Sequence, residues 1–85
     1  MQTVAMLNAA IQLAQQLGYQ VRQDMLDGAG GGHCLIRGKK WLLLDVTQSH
    51  REQLGDVLDA LRCEQHLPDT VPEEIAQRLR SPIAA

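Results

Sequence analysis

Hydrophobic residues recur at three- and four-residue spacing from Val4 through Leu7, Ala10, Ile11, Ala14 and Leu17. Such a period places them on one side of a helix. It predicts an amphipathic helix over 4–17, with Thr3 as N-cap and Gly18 as the left-handed residue that ends it. The outer positions are mostly glutamines, which solvate that face without charging it. The period then drops to two. Tyr19, Val21, Gln23 and Met25 alternate with Gln20, Arg22 and Asp24, which predicts a strand with one buried face. The run Asp27-Gly28-Ala29-Gly30-Gly31-Gly32 breaks both periods. Ordering so much bare backbone costs entropy, so Gly28, Gly30, Gly31 and Gly32 are read as a flexible loop.

Two further strands are predicted at His33–Arg37 and Lys40–Val46, closed by a Gly38-Lys39 turn of type II′. In that register Ile36 faces Trp41 and Cys34 faces Leu43, while Leu35 and Leu42 oppose each other on the second face. Trp41-Leu42-Leu43-Leu44 is apolar on both sides, which suits a central strand or one whose second face meets another subunit.

Ser49 with Glu52 makes a capping box for a second helix, with Leu54, Val57, Leu58 and Leu61 as its buried stripe. His50, Arg51, Asp56, Asp59 and Arg62 fall outside that stripe. Gly55 costs the helix about 1 kcal/mol relative to Ala and points to close packing on the sheet. Thr70 and Glu73 offer another capping box, with Pro72 in the first turn of a short helix striped by Val71, Ile75 and Leu79. Ser81-Pro82 stops it, and the tail, 82–85, is expected to fray. The order is α-β-β-β-α-α. The fold class is α+β, a three-stranded antiparallel meander with helices mainly on one face.

Composition narrows the picture. Eighty-five residues make one domain, 1–85, with a small core. With no Phe, one Tyr and one Trp, that core is aliphatic. A formal net charge of −2 argues against a dedicated nucleic-acid binder. No apolar run is long enough for a membrane span, and the N-terminal stretch lacks the charged start of a signal peptide. The expected location is the cytoplasm, where Cys34 and Cys63 stay reduced.

The glycine-rich stretch fits no phosphate-binding spacing. Gly32 and Gly38-Lys39 enclose five residues, one more than a phosphate-binding loop allows, and Lys40 stands where Ser or Thr would bind magnesium. A dinucleotide pattern from Gly28 fails at His33. His33, Cys34, Cys63 and His66 are possible metal ligands, but His33 and Cys34 point to opposite faces of a strand. No metal and no cofactor is expected. Cys34 beside His33 is the only suggestive nucleophile pair, and it leaves Cys34 as a thiol candidate. No catalytic residue is assigned and the balance leans away from an enzyme. Asp45, at a strand end, is expected to cap the next turn.

The order α-β-β-β-α over residues 3–62 resembles that of the double-stranded-RNA-binding domain. That family has a Lys-rich start to its last helix. Here the start is Ser49-His50-Arg51-Glu52-Gln53, and Arg37, Lys39 and Lys40 lie at the hairpin tip instead. The run Gly31-Gly32-x-Cys34-x-x-x-Gly38, followed by Leu44-Asp45 and Glu52-Gln53-Leu54, resembles small bacterial proteins of uncharacterised function over residues 17–61. That likeness implies the same fold and no particular ligand.

The function expected from these observations is a small non-catalytic module that binds a protein partner or a second copy of itself. Arg37, Lys40, Trp41, Leu42 and Leu44 are the expected contact residues. The alternatives are a weak nucleic-acid or anion site across 30–40, including Lys39, and a thiol or metal site at Cys34.

Overall fold

A computed structural model describes residues 2–80. The elements are α1 (Thr3–Gln16), β1 (Gln20–Asp24), β2 (Gly32–Ile36), β3 (Lys39–Asp45), α2 (His50–Arg62) and α3 (Glu73–Arg80). The class is α+β. The stop at Ser81-Pro82 and the fraying expected for 82–85 lie outside the described residues.

Helix α1 starts earlier than the expected cap. Thr3 is already helical, and Gln2 occupies the N-cap position without a side-chain cap. Its end follows the residue types. Gly18 has φ +97°, its N–H donates to the Gln15 carbonyl, and the Tyr19 N–H donates to the Ala14 carbonyl. This paired pattern satisfies the last carbonyls of the helix. At α2, Ser49 is the N-cap and its Oγ accepts from the Glu52 N–H at 3.1 Å. The Gln53 side chain closes the same turn by donating to the Gln48 carbonyl at 3.0 Å. Helix α3 begins one residue after Pro72, whose carbonyl accepts from Ile75 and Ala76.

The sheet corrects the meander. Its order is β1-β3-β2, with β1 parallel to β3 and β2 antiparallel to β3. The most apolar strand therefore holds the centre, where both of its edges are paired. Because β1 and β3 run the same way, the chain leaves β1 at the end of the sheet where β3 also ends. It must pass that end to begin β2. Residues 25–31 make this crossing. Seven residues can span roughly 20 Å, more than the two strand spacings of about 4.8 Å each that separate β1 from β2.

The hairpin turn also differs. Ile36 pairs with Lys39, so the turn residues are Arg37 and Gly38, with φ +51° and +78°. Positive φ at both centres is a type I′ turn, whose twist matches that of the flanking strands. Cys34 consequently pairs with Trp41, His33 with Leu42 and Leu35 with Lys40. The shift from the expected register is two residues in the pairing sum. An even shift leaves every side chain on its expected face.

Helices α1 and α2 pack on each other and on one face of the sheet. Leu7, Ala10, Leu13 and Ala14 from α1 meet Leu54, Val57, Leu58 and Leu61 from α2, with Leu42 and Leu44 beneath them. Ile75 from α3 joins this core fully buried, and Val71 and Leu79 pack at its margin. Helix α3 lies against α2 and not on the second face of the sheet. Gly55 does not mark close packing, because a Cβ there meets nothing within 4 Å.

Candidate functional site

Alternation along β3 decides what each face offers. Leu42 and Leu44 point into the core and have no exposed surface. They cannot touch a partner, so the expectation that placed them in a contact is corrected. Leu43, which that expectation omitted, lies half-buried with Trp41 on the opposite face. Together with Cys34, Ile36 and Arg22 they line a shallow groove of about 240 Å³. No helix covers this face among the described residues. Ile36 is 53 % exposed, and Cys34 is open to solvent. The signal for Leu43 was available in the alternation itself, since Trp41 and Leu43 share parity.

The two edges of the sheet differ in chemistry. Strand β1, Gln20-Val21-Arg22-Gln23-Asp24, carries two charges joined as an Arg22–Asp24 ion pair at 3.5 Å. Charges on an edge discourage a further strand from pairing. Strand β2, Gly32-His33-Cys34-Leu35-Ile36, has no acid, lysine, arginine or proline, and four of its five residues are exposed. Leu35 is 68 % exposed.

The basic residues do not form one patch. Arg37 and Lys39 are exposed at the turn and form no ion pair among the described residues. Lys40 turns to the helical side. It is ion-paired with Glu64, and its Nζ lies 4.8 Å from the centroid of the Tyr19 ring. Burial pushes the Tyr19 hydroxyl pKa up, Glu64 and Cys63 add to the rise, and Lys40 opposes it.

The glycine-rich segment is held by carboxylates, which corrects its reading as a flexible connector. Asp45, at the end of β3, is buried and accepts at Oδ1 from the Leu26 N–H at 3.1 Å, and at Oδ2 from the Gly30 N–H at 3.2 Å. Its Oδ1 also accepts from the Thr47 hydroxyl at 2.6 Å and the Thr47 N–H at 3.0 Å. The Gly28 N–H donates to Thr47 Oγ1 at 3.0 Å. The Thr47 hydroxyl bond, followed by the backbone donors, outweighs desolvation and lowers the Asp45 pKa to about 2. Asp45 does cap its turn as expected, and it also fastens the crossing from β1 to β2. Gly31 donates to Asp56 Oδ2 at 3.2 Å, and a Cβ on Gly31 would sit 2.0 Å from the Leu43 carbonyl oxygen. A Cβ on Gly32 would meet nothing within 4 Å. Desolvation raises the Asp56 pKa and the Gly31 N–H opposes that, while Asp59, Glu52 and Asp45 raise it further.

His33 and Cys34 point to opposite faces, as expected for neighbours on a strand. The imidazole beside Cys34 in sequence instead touches the other thiol, with Nε2 3.4 Å from Cys63 Sγ. Cys63 also donates to the Asp59 carbonyl at 3.5 Å. No group of three or more His, Cys, Asp or Glu residues is placed to hold a metal among the described residues. No described helix is long and apolar enough to cross a membrane.

The chain matches no protein-family model, no curated protein and no solved structure. Residues of the run from Gly31 to Leu54 have identifiable tasks in the fold. Asp45 pins the crossing, Gly31 passes beside β3, Glu52 and Gln53 close the start of α2, and Leu44 and Leu54 fill the core. Gly32 and Cys34 pair with Leu43 and Trp41 on the open edge strand.

Proposed function

We propose that this protein is a self-associating module that joins a second copy of itself on the open side of its sheet, where an uncovered face meets the unprotected β2 edge. The observation that carries the reading is the uncovered face made by Cys34, Ile36, Trp41 and Leu43, bordered by an edge strand without protecting charges. A core this small gains from additional apolar burial on association. The charge distribution favours a second copy over an unrelated partner. Exposed cations sit at one end of β2, at Arg37 and Lys39, and acids sit near the other end, at Asp56 with Glu52 and Asp59 on α2. A surface bearing both signs at opposite ends of one strand is complementary to itself across a twofold axis.

The test is light scattering coupled to size exclusion over a dilution series. The expected result is a species of twice the 9.4 kDa chain mass that dissociates on dilution. Ile36→Lys, on the open face, shifts dissociation to higher concentration while leaving the far-ultraviolet spectrum unchanged. A single 9.4 kDa species up to about 1 mM, where an association worth about 4 kcal/mol would be detected, overturns the proposal.

A further inference from the structure

The hairpin geometry specifies how two copies would meet, given the self-association proposed above. In a two-residue hairpin, the pair flanking the turn exchanges both backbone hydrogen bonds, and such pairs alternate with non-bonded ones. Ile36–Lys39 flanks the turn, so Ile36, Cys34 and Gly32 direct their backbone N–H and C=O groups to β3. His33 and Leu35 must then direct theirs outward, to the free edge. We infer that two copies join β2 to β2 antiparallel about a twofold axis at Cys34, making one six-stranded sheet.

Four features favour this register. It is the one that pairs all five residues of β2 with their counterparts. It sets the outward groups of Leu35 against those of the partner's His33, and by symmetry the reverse, which forms four hydrogen bonds from groups that lack strand partners. It also sets Ile36 opposite the partner's Gly32, a large side chain over a position with open space. The same register brings Arg37, which forms no ion pair among the described residues, opposite the partner's Gly31, whose N–H is held by Asp56. Asp59, Glu52 and Asp45 all add negative charge around Asp56. The open faces become contiguous, so Cys34, Ile36, Trp41 and Leu43 of both copies form one apolar surface.

Cys34 then faces the partner's Cys34 as a non-bonded antiparallel pair. Such pairs have Cα atoms about 4.5 Å apart, within the range a disulfide bridges. This gives a direct test on Cys63→Ser protein treated with diamide. Each Cys34 thiol loses a proton, one S–S bond forms, and the two electrons and two protons reduce diamide to its hydrazine. The expected result is majority conversion to a covalent dimer at a concentration where light scattering already shows the dimer. Cys34→Ser protein retaining Cys63 gives at least tenfold less. Leu35→Lys, which charges the edge without touching the core, and Arg37→Glu each raise the dissociation constant at least tenfold. A dimer by light scattering that neither cross-links through Cys34 nor responds to Leu35→Lys overturns the edge-to-edge register and leaves face-to-face association standing. A monomer overturns both readings.

Discussion

Replacing Gly31 with Ala tests the account of the glycine-rich crossing. A Cβ at this position would lie 2.0 Å from the Leu43 carbonyl oxygen, 3.0 Å from its carbon and 3.1 Å from Asp56 Oδ2. Real Cβ atoms come no closer than about 3 Å to such an oxygen, so backbone must move by about 1 Å. Leu43 cannot supply that movement cheaply, because β3 is the central strand and is paired on both sides. The displacement falls on residue 31 and strains its hydrogen bond to the Asp56 carboxylate. Forcing extra atoms into a packed site costs about 1–3 kcal/mol, and a hydrogen bond to a charged acceptor contributes about 1.5–3 kcal/mol. A loss of roughly 3 kcal/mol is expected if the bond is only partly lost. For a domain of this size that lowers the melting temperature by roughly 12–24 °C. Urea denaturation of dilute protein at matched concentration measures it. Gly32→Ala is the internal control, since its Cβ enters open space and removes chain entropy from the unfolded state. The expected change there is between zero and about 1 kcal/mol of stabilisation. Equal effects at the two adjacent positions, or a Gly31→Ala change under about 0.5 kcal/mol, would refute the steric reasoning.

Three further predictions follow from the same contacts. The Asp45 pKa is lowered from 3.8 to about 2 in the folded chain, so its stabilisation is complete above the unfolded value and is lost as pH falls through 3.8 towards 2; acid titration of Asp45→Asn monitored by circular dichroism should lose part of the wild-type transition in that window. Gly55→Ala places a methyl in open space on α2 and should stabilise the fold by about 1 kcal/mol, read as a melting temperature raised by about 4–8 °C. Ser49→Ala removes the acceptor for the Glu52 N–H and should cost about 1 kcal/mol in urea denaturation, whereas Ser49→Asp should restore most of it.

The hairpin shows how local patterning can be right about faces and mistaken about pairs. The glycine at position 38 signals a turn, but either Gly38-Lys39 or Arg37-Gly38 fits a two-residue loop. Choosing between them depends on Arg37 accepting a left-handed conformation, which its residue type disfavours. Because the two registers differ by an even step, the composition of each face survived the change. The same parity placed Leu43 with Trp41, although the contact set had favoured Leu42 and Leu44. Burial of those two follows from α1 and α2 covering one face, which the double-sided hydrophobicity of the strand could not reveal.

The sequence by itself determined the three helices, the three strands, the aliphatic core and the cap at Ser49, because each depends on residues within a few positions of one another. The double-sided apolar run of β3 suited a central strand, but only the tertiary structure decided that β1 pairs with it and runs parallel to it. That outcome depends on Asp45, Thr47 and Asp56 gathering the backbone N–H groups of a distant glycine-rich segment. It also decided that His33 meets Cys63 and leaves Cys34 on the open face. Hydrophobic period reports which side of an element is buried. Strand order and edge exposure depend on where long-range hydrogen bonds carry the chain.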